Sequence, residues 1–199
     1  DYIKQAKAIL ISGTALATSP SREAVFLALD FARNNDVVVF FDLDYRPYTW
    51  KNDKETAVYY NLAAEKCDVI IGTREEFNMM EQFQNLKNND YETAQKWFDY
   101  NAEIVVIKHG DKGSISYMKS GESYRGGTFK TKVLKTFGAG DSYAAAFIYS
   151  LMHGRDIRTA MEYGSAAAAI VISKHSCSEA MPTLEELEEF IRTARKEKI

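Results

Sequence analysis

The sequence predicts an α/β fold: a mostly parallel sheet flanked by helices on both faces. Four short apolar runs point to it, AILISG (8–13), VVVFFDL (37–43), CDVIIG (67–72) and EIVVIKHG (103–110). They are continuous and rich in β-branched residues, as strands buried on both faces are. Segments of helical period separate them, the alternation that builds right-handed βαβ crossovers. A third observation concerns polarity. Gly13-Thr14, Asp42 to Arg46, Gly72-Thr73 and His109-Gly110 stand directly after the runs, where open parallel sheets bind ligands.

The elements follow in order. A first helix is expected from about Ser19 to Asn34, with Ser19 as N-cap and Pro20 at the first helical position. A second covers roughly Lys54 to Lys66, and two more fill 73–101. After Gly110 the segments SISYMK and TFKTKVL alternate polar and apolar around SGESYRGG, the pattern of a hairpin or meander at a sheet edge. From Gly138 the chain reads as helical over about 139–153, 156–173 and 183–198. The last helix opens on a Thr183-x-x-Glu186 capping box behind Pro182, and sets Leu184, Leu187, Ile191 and Ala194 on one stripe. No internal repeat, low-complexity tract or long linker interrupts the chain, so residues 1–199 are expected to form a single α/β domain.

Composition excludes several functions. A net charge of -3 gives no basic face for nucleic acid. Arg192, Arg195, Lys196 and Lys198 fall in the last turns of a helix, where they complement its dipole. No apolar run reaches the length of a membrane span. Cys67 and Cys177 lack CxxC or metal-ligand spacing, which fits a reducing, cytoplasmic compartment, and His109, His153 and His175 form no zinc-binding cluster. Neither GxxxxGK[ST] nor GxGxxG occurs, which disfavours a P-loop enzyme and a Rossmann oxidoreductase. The start, DYIKQAKAILISG, has no initiator Met and no signal or transit composition, and reads as a view into a longer protein.

Four constellations can carry chemistry. Gly138-Ala139-Gly140-Asp141 opens a strong helix pattern, so its first amides lack intrahelical partners and its small residues admit an anion; a carboxylate favouring any helix start is the plain alternative. Thr73-Arg74-Glu75-Glu76 is sufficient as a capping box. Lys108 to Gly113 carries two glycines in a turn before a strand, which alone requires no function. Asp42, Asp44 and Arg46 follow a strand either as a salt-bridged loop or with Arg46 as a fork for a carboxylate or phosphate. Tyr45, Tyr48 and Trp50 suit a pocket wall or core packing equally.

KTFGAGDSYAAAF (135–147) resembles the C-terminal signature of the ribokinase-like (PfkB) carbohydrate kinases, and FDLDYRPYTW (41–50) resembles the D-x-N-x-R-P segment of their sugar-acid branch. The resemblance spans essentially the whole chain. It implies a ribokinase-like fold, incomplete at the N-terminus, that transfers a phosphoryl group from ATP, with Mg²⁺, to a sugar hydroxyl. Asp141 then matches the catalytic base, and the amides of Gly138, Ala139, Gly140 and Asp141 match the anion hole. Glu76 matches a carboxylate that organises Mg²⁺ through water, although Thr73 replaces the usual Asn. Lys108, Gly110, Asp111 and Gly113 match the nucleotide loop. Arg46, Asp44 and Tyr45 match the substrate side, Asp44 replacing the branch's Asn. The DYRPYTW form is most similar to branch members acting on 5-dehydro-2-deoxygluconate in inositol catabolism, with 2-keto-3-deoxygluconate as the alternative acceptor. A regulatory module that binds nucleotide without catalysis is the competing reading.

Lys135 departs from the resemblance. Many members carry Asp there, beside a monovalent-cation site, and His175 stands about where that site often has Gly. The expectation is that the Lys135 ammonium supplies the positive charge and that K⁺ is not required. Relatives also carry an N-terminal segment with a lid that often mediates homodimers. Its absence here implies that residues 1–199 alone bind nucleotide poorly and do not form a competent kinase.

Overall fold

The computed structural model describes residues 2–84, 86 and 88–196. Strands β1 (Ala8–Ser12), β2 (Val38–Asp42), β3 (Val69–Thr73) and β4 (Ile104–Lys108) pair in parallel in chain order. With β5 (Ser114–Met118) and β6 (Ser123–Gly126) they make a six-stranded sheet in the order β1 to β6. Helices α1 (Ser21–Arg33) and α2 (Asp53–Ala64), then the pair α3 (Arg74–Met80) and α4 (Asp90–Phe98), supply the crossovers; α5 (Ala139–Met152), α6 (Ile157–Ile172) and α7 (Leu184–Lys196) follow. The chain divides into two compact units, Asp1–His109 with Ile115–Ser123, and Gly110–Ser114 with Tyr124–Ile199.

In the first unit the apolar runs do what their composition requires. Phe40 and Phe41 point to opposite faces of β2, and both are fully buried. Phe41 meets Tyr60 of α2 edge-on at 5.5 Å between ring centroids, and Trp50 also meets Tyr60 edge-on at 5.5 Å. Burial of each such ring contributes about 2–3 kcal/mol. α2 starts where Asn52 accepts a hydrogen bond from the Glu55 amide, and α4 where Asn89 accepts from Tyr91 and Glu92.

Two elements differ from expectation. α1 opens one residue late: the Ser19 hydroxyl bonds the Glu23 carboxylate, and Pro20 stands at the cap position instead. Residues 128–134 form no strand. Gly121 N donates to Met118 O and Met118 N to Glu122 O, each at 2.9 Å, so the turn closes early and β6 begins at Ser123, inside the segment expected to connect the strands.

In the second unit α5 and α6 pack through small residues. A Cβ on Gly164 would come within 3.0 Å of the Tyr143 ring. Ala166, Ala167 and Ile170 of α6 meet Leu187 and Ile191 of α7, with Phe190 beside them, whereas Leu184 of the expected stripe is exposed. The Thr183–Glu186 capping box forms, with Thr183 N to Glu186 Oε2 at 2.9 Å and Glu186 N to Thr183 Oγ1 at 3.2 Å. Arg195 and Lys196 occupy the last turn of α7 and Arg192 pairs with Glu189; Lys198 lies outside the described residues.

The register sets the carboxyl ends of the first strands side by side, Ser12 opposite Asp42 and Thr73 opposite Lys108. Leu43 caps this edge. It is fully buried, and its amide donates to Ile71 O at 2.9 Å. A Cβ on Gly13 would lie 2.0 Å from Leu43 O and 2.2 Å from the Tyr60 hydroxyl; one on Gly72 would lie 2.5 Å from Leu43 Cδ1. The segment leaving β2 therefore rests in a seat from which two side chains have been removed.

A buried ionic knot joins α3 to α4 behind that edge. Arg74 donates to Asn78 Oδ1 at 2.8 Å, Asp90 Oδ1 at 3.1 Å, Thr93 Oγ1 at 2.9 Å and Glu81 Oε2 at 2.7 Å, while Asp90 Oδ2 holds His109 Nε2 at 2.7 Å.

Both features predict stability changes measurable by denaturant unfolding. Gly13→Ala meets a backbone oxygen that cannot yield and is expected to cost about 3 kcal/mol, more than Gly72→Ala, whose clash falls on a side chain that can rotate. Arg74→Ala leaves the buried Glu81 carboxylate without its cation and is expected to cost about 3–5 kcal/mol. Less of that loss should remain when Glu81→Gln is added, as a double-mutant cycle would record.

Candidate active site

One group of the sequence-predicted residues is built on the strand ends of the first unit. Asp44 takes a left-handed backbone conformation, φ 37°, uncommon for a residue with a side chain. Its carboxylate is fully used: Oδ1 lies 2.6 Å from Arg46 Nη2, and Oδ2 accepts from Ser12 Oγ at 2.9 Å and Thr14 Oγ1 at 3.4 Å. The next amide, Tyr45 N, donates to Glu76 Oε1 at 2.9 Å. Glu76 Oε2 accepts from Thr73 N at 2.7 Å, and Thr73 Oγ1 accepts from Glu76 N at 3.2 Å. The capping box thus forms as the sequence predicts, and the same Glu76 also reaches the loop after β2. Arg46 keeps 43% of its side chain exposed while anchored at one nitrogen.

Lys108, expected on the nucleotide side, stands at the end of β4 with Nζ 3.6 Å from Asp42 Oδ1, both side chains nearly buried. Tyr45 donates its hydroxyl to Asp53 Oδ1 at 2.5 Å; lost hydration, then that hydrogen bond and the Asp53 charge, push its phenol up to about 12. It stays a neutral donor throughout the physiological range. Tyr60 is pushed up further, by burial first and then by the charges of Glu76, Asp44 and Asp42. Of the aromatics left open by the sequence, Trp50 is core and Tyr48 is exposed. Ser12 escaped the sequence reading. Its only signal was a hydroxyl at the end of the first apolar run, next to the Gly13-Thr14 pair that was noticed.

A separate group lies in the second unit. Gly138, φ 80°, forms the left-handed start of α5, and a Cβ there would press within 3.3 Å of Val171 Cγ1 and 3.5 Å of Cys177 Cβ. Ala139 N donates to Thr136 O at 3.3 Å, and Ser142 Oγ turns back to Gly138 O at 2.7 Å. Gly140 and Asp141 follow in the first turn, where amides have no intrahelical acceptor, and Asp141 is exposed. Lys135 points at the same loop: Nζ donates to Phe137 O at 2.9 Å and lies 3.2 Å from Cys177 Sγ. Gly110, Asp111 and Gly113 form a tight turn closed by Gly113 N to Gly110 O at 3.2 Å, and Gly113 abuts the Gly126 carbonyl so closely that a Cβ would lie 2.0 Å from it.

The geometry admits the groups that phosphoryl transfer needs. The first turn of α5 offers small residues and unspent amides to an anion such as an ATP phosphate. Among the described residues no cluster of three or more acidic, His or Cys side chains could hold a metal ion. Glu76 would reach a hydrated Mg²⁺ through water, since each of its carboxylate oxygens has a second lone pair to give.

Known proteins resemble the chain in sequence and in fold. The model of the pfkB family carbohydrate kinases matches residues 1–184. The chain is 71% identical over 192 residues to the 5-dehydro-2-deoxygluconokinase of Geobacillus thermodenitrificans (strain NG80-2), covering 96% of this chain and 57% of that protein. It is 70% identical over 197 residues to the protein of the same name from Bacillus anthracis (strain A0248), covering 98% and 59%. The chain thus spans less than two thirds of the relatives it matches. In fold it is similar to a crystal structure of fructokinase with bound ATP from Xylella fastidiosa, with TM-score 0.88 and 18% identity over 98% of this chain and 64% of that one. The chain belongs to the pfkB family of carbohydrate kinases.

Proposed function

We propose that this chain forms part of an ATP-dependent kinase that phosphorylates a hydroxyl of 5-dehydro-2-deoxygluconate, a cytoplasmic enzyme of inositol catabolism. The observation that carries the reading is the opening of α5. Gly138 turns left-handed so that small residues and first-turn amides face outward, with the Asp141 carboxylate one step beyond. The similarity to relatives named for this substrate supports the acceptor.

Each residue has a part. Asp141 accepts the proton of the attacking hydroxyl. The amides at Gly138, Ala139, Gly140 and Asp141 hold the charge that develops on the phosphoryl oxygens, Gly140 and Asp141 foremost because the Ala139 amide also reaches Thr136 O. ATP supplies the phosphoryl group, and Mg²⁺ neutralises its charge. Gly110, Asp111 and Gly113 shape a turn against the nucleotide, and Lys108 adds a cation at the end of β4. Glu76 steadies metal-bound water. Arg46 meets the carboxylate of the sugar acid, with Asp44 and Tyr45 beside it.

Lys135 stands in for a monovalent cation. Its ammonium is held by the Phe137 carbonyl two residues before Ala139, next to the amides that meet phosphate.

Two measurements on the protein at its natural length test this. Asp141→Asn is expected to lower kcat by about two to four orders of magnitude while ATP affinity, read by calorimetry, is largely kept. An unchanged kcat would instead favour a nucleotide-binding module without catalysis. Turnover should also be the same in potassium chloride and tetramethylammonium chloride at equal ionic strength; strong activation by K⁺ would refute the role of Lys135.

A further inference from the structure

We infer that Ser12, Thr14 and Glu76 are positioning residues that lock Asp44 and so aim Arg46 at the acceptor's carboxylate. The inference rests on the reading of Arg46 as a carboxylate clamp and adds the device that orients it.

Arg46 sits in an exposed loop, and a free arginine side chain there would sample many rotamers. One anchor restricts it, the 2.6 Å pair from Nη2 to Asp44 Oδ1. The anchor is only as fixed as Asp44, whose backbone is in a conformation that a side-chain-bearing residue adopts at a cost and keeps only when its surroundings enforce it. Contacts from two directions do so. Ser12 Oγ, from the end of β1, and Thr14 Oγ1, just beyond it, both bind Oδ2, the oxygen that Arg46 leaves. The two hydroxyl oxygens also lie 2.7 Å apart; with one proton each they make two of these three bonds at a time, and in every arrangement at least one of them donates to Oδ2. From the opposite side Glu76 Oε1 accepts the Tyr45 amide and fixes the peptide on the carboxyl side of Asp44. Its other oxygen is tied to Thr73 N at the end of β3, so the brace is referred to the sheet itself.

Ionised Asp44 has only acceptors to offer, and donors from two directions use both of its oxygens. Asp44 is therefore turned inward, toward Ser12, Thr14 and Arg46. The role of the segment in recognition passes to the unspent edge of the Arg46 guanidinium, presented at one orientation by strands β1 and β3 through their strand-end residues.

The test uses the protein at its natural length, with the sugar acid and a neutral analogue in which the carboxylate is replaced by a hydroxymethyl group. Ser12→Ala, Thr14→Val and Glu76→Gln are each compared with Arg46→Ala. Arg46→Ala should abolish most of the preference for the acid. Ser12→Ala is expected to lower the acid-over-neutral selectivity in kcat/KM by about tenfold, the scale on which misplaced binding groups act, through a KM for the acid that rises more than the KM for ATP. Ser12→Thr, which restores the hydroxyl, should recover the selectivity. Glu76→Gln should raise the KM for the acid in the same sense, and should it fail to fold, the Ser12 pair carries the test. Selectivity unchanged in Ser12→Ala while Arg46→Ala loses it would overturn the inference and leave the clamp standing. Acid and neutral KM values that rise together would overturn it as a merely structural effect. If Arg46→Ala keeps the preference, the clamp reading itself falls, and the inference with it.

Discussion

Everything chemical in the first unit depends on how closely three strand ends approach one another around Leu43. The backbone leaving β2 occupies space that side chains at Gly13 and Gly72 would fill. Because both are absent, Leu43 sinks into the core and the chain emerges at Asp44 beside Ser12, Thr14 and Glu76. A single methyl group at Gly13 would displace the Leu43 carbonyl, and Asp44 would move with it. Packing and recognition are thus one constraint here. An interior filled to crystal-like density transmits a small change at the seat directly to the residue above it.

The same economy governs Glu76. A capping box accounts for half of its bonding, and by itself would explain why the residue is there. The other half, the bond to Tyr45 N, reaches thirty-one residues back along the chain and serves no helix. A local motif and a long-range brace share one carboxylate, because Glu is long enough to close the box with one oxygen and leave the other directed outward. The first turn of α5 shows the corresponding overlap. The unspent amides that make a carboxylate comfortable at Asp141 are the donors an anion needs.

Much of this was legible in the sequence, and what was not has identifiable causes. The four parallel strands follow from runs such as VVVFFDL, since burial on both faces leaves no polar alternation to misread. Residues 128–134 misled because period-two alternation also occurs in chain that forms no strand, and the turn at Gly121 had already returned the strand. Ser19 misled for a different reason: its hydroxyl found the Glu23 carboxylate, a partner that cap statistics do not weigh. Within the site, GAGD and DYRP were visible because their residue types are unusual in those settings. Ser12 was not. A serine at a strand end is commonplace, and only the register that sets β1 beside β2 brings it to Asp44.

On the proposed reading, local electrostatics let an anionic acceptor be met beside so many acids. Asp42, Asp44 and Glu76 stand near one another, close enough that all three raise the Tyr60 phenol. Left uncommitted, they would repel a sugar carboxylate and outweigh the two cations nearby. Each is committed instead. Asp42 faces Lys108, Asp44 divides its oxygens between Arg46 and two hydroxyls, and Glu76 accepts two backbone amides. Their oxygens hold backbone and side chains of the protein, while the Arg46 side chain stays 43% exposed. Substituting Asp for the branch's Asn at position 44 has a physical meaning in this setting. An amide offers one acceptor oxygen, whereas the two-oxygen carboxylate can hold the guanidinium with one oxygen and the hydroxyls of β1's end with the other.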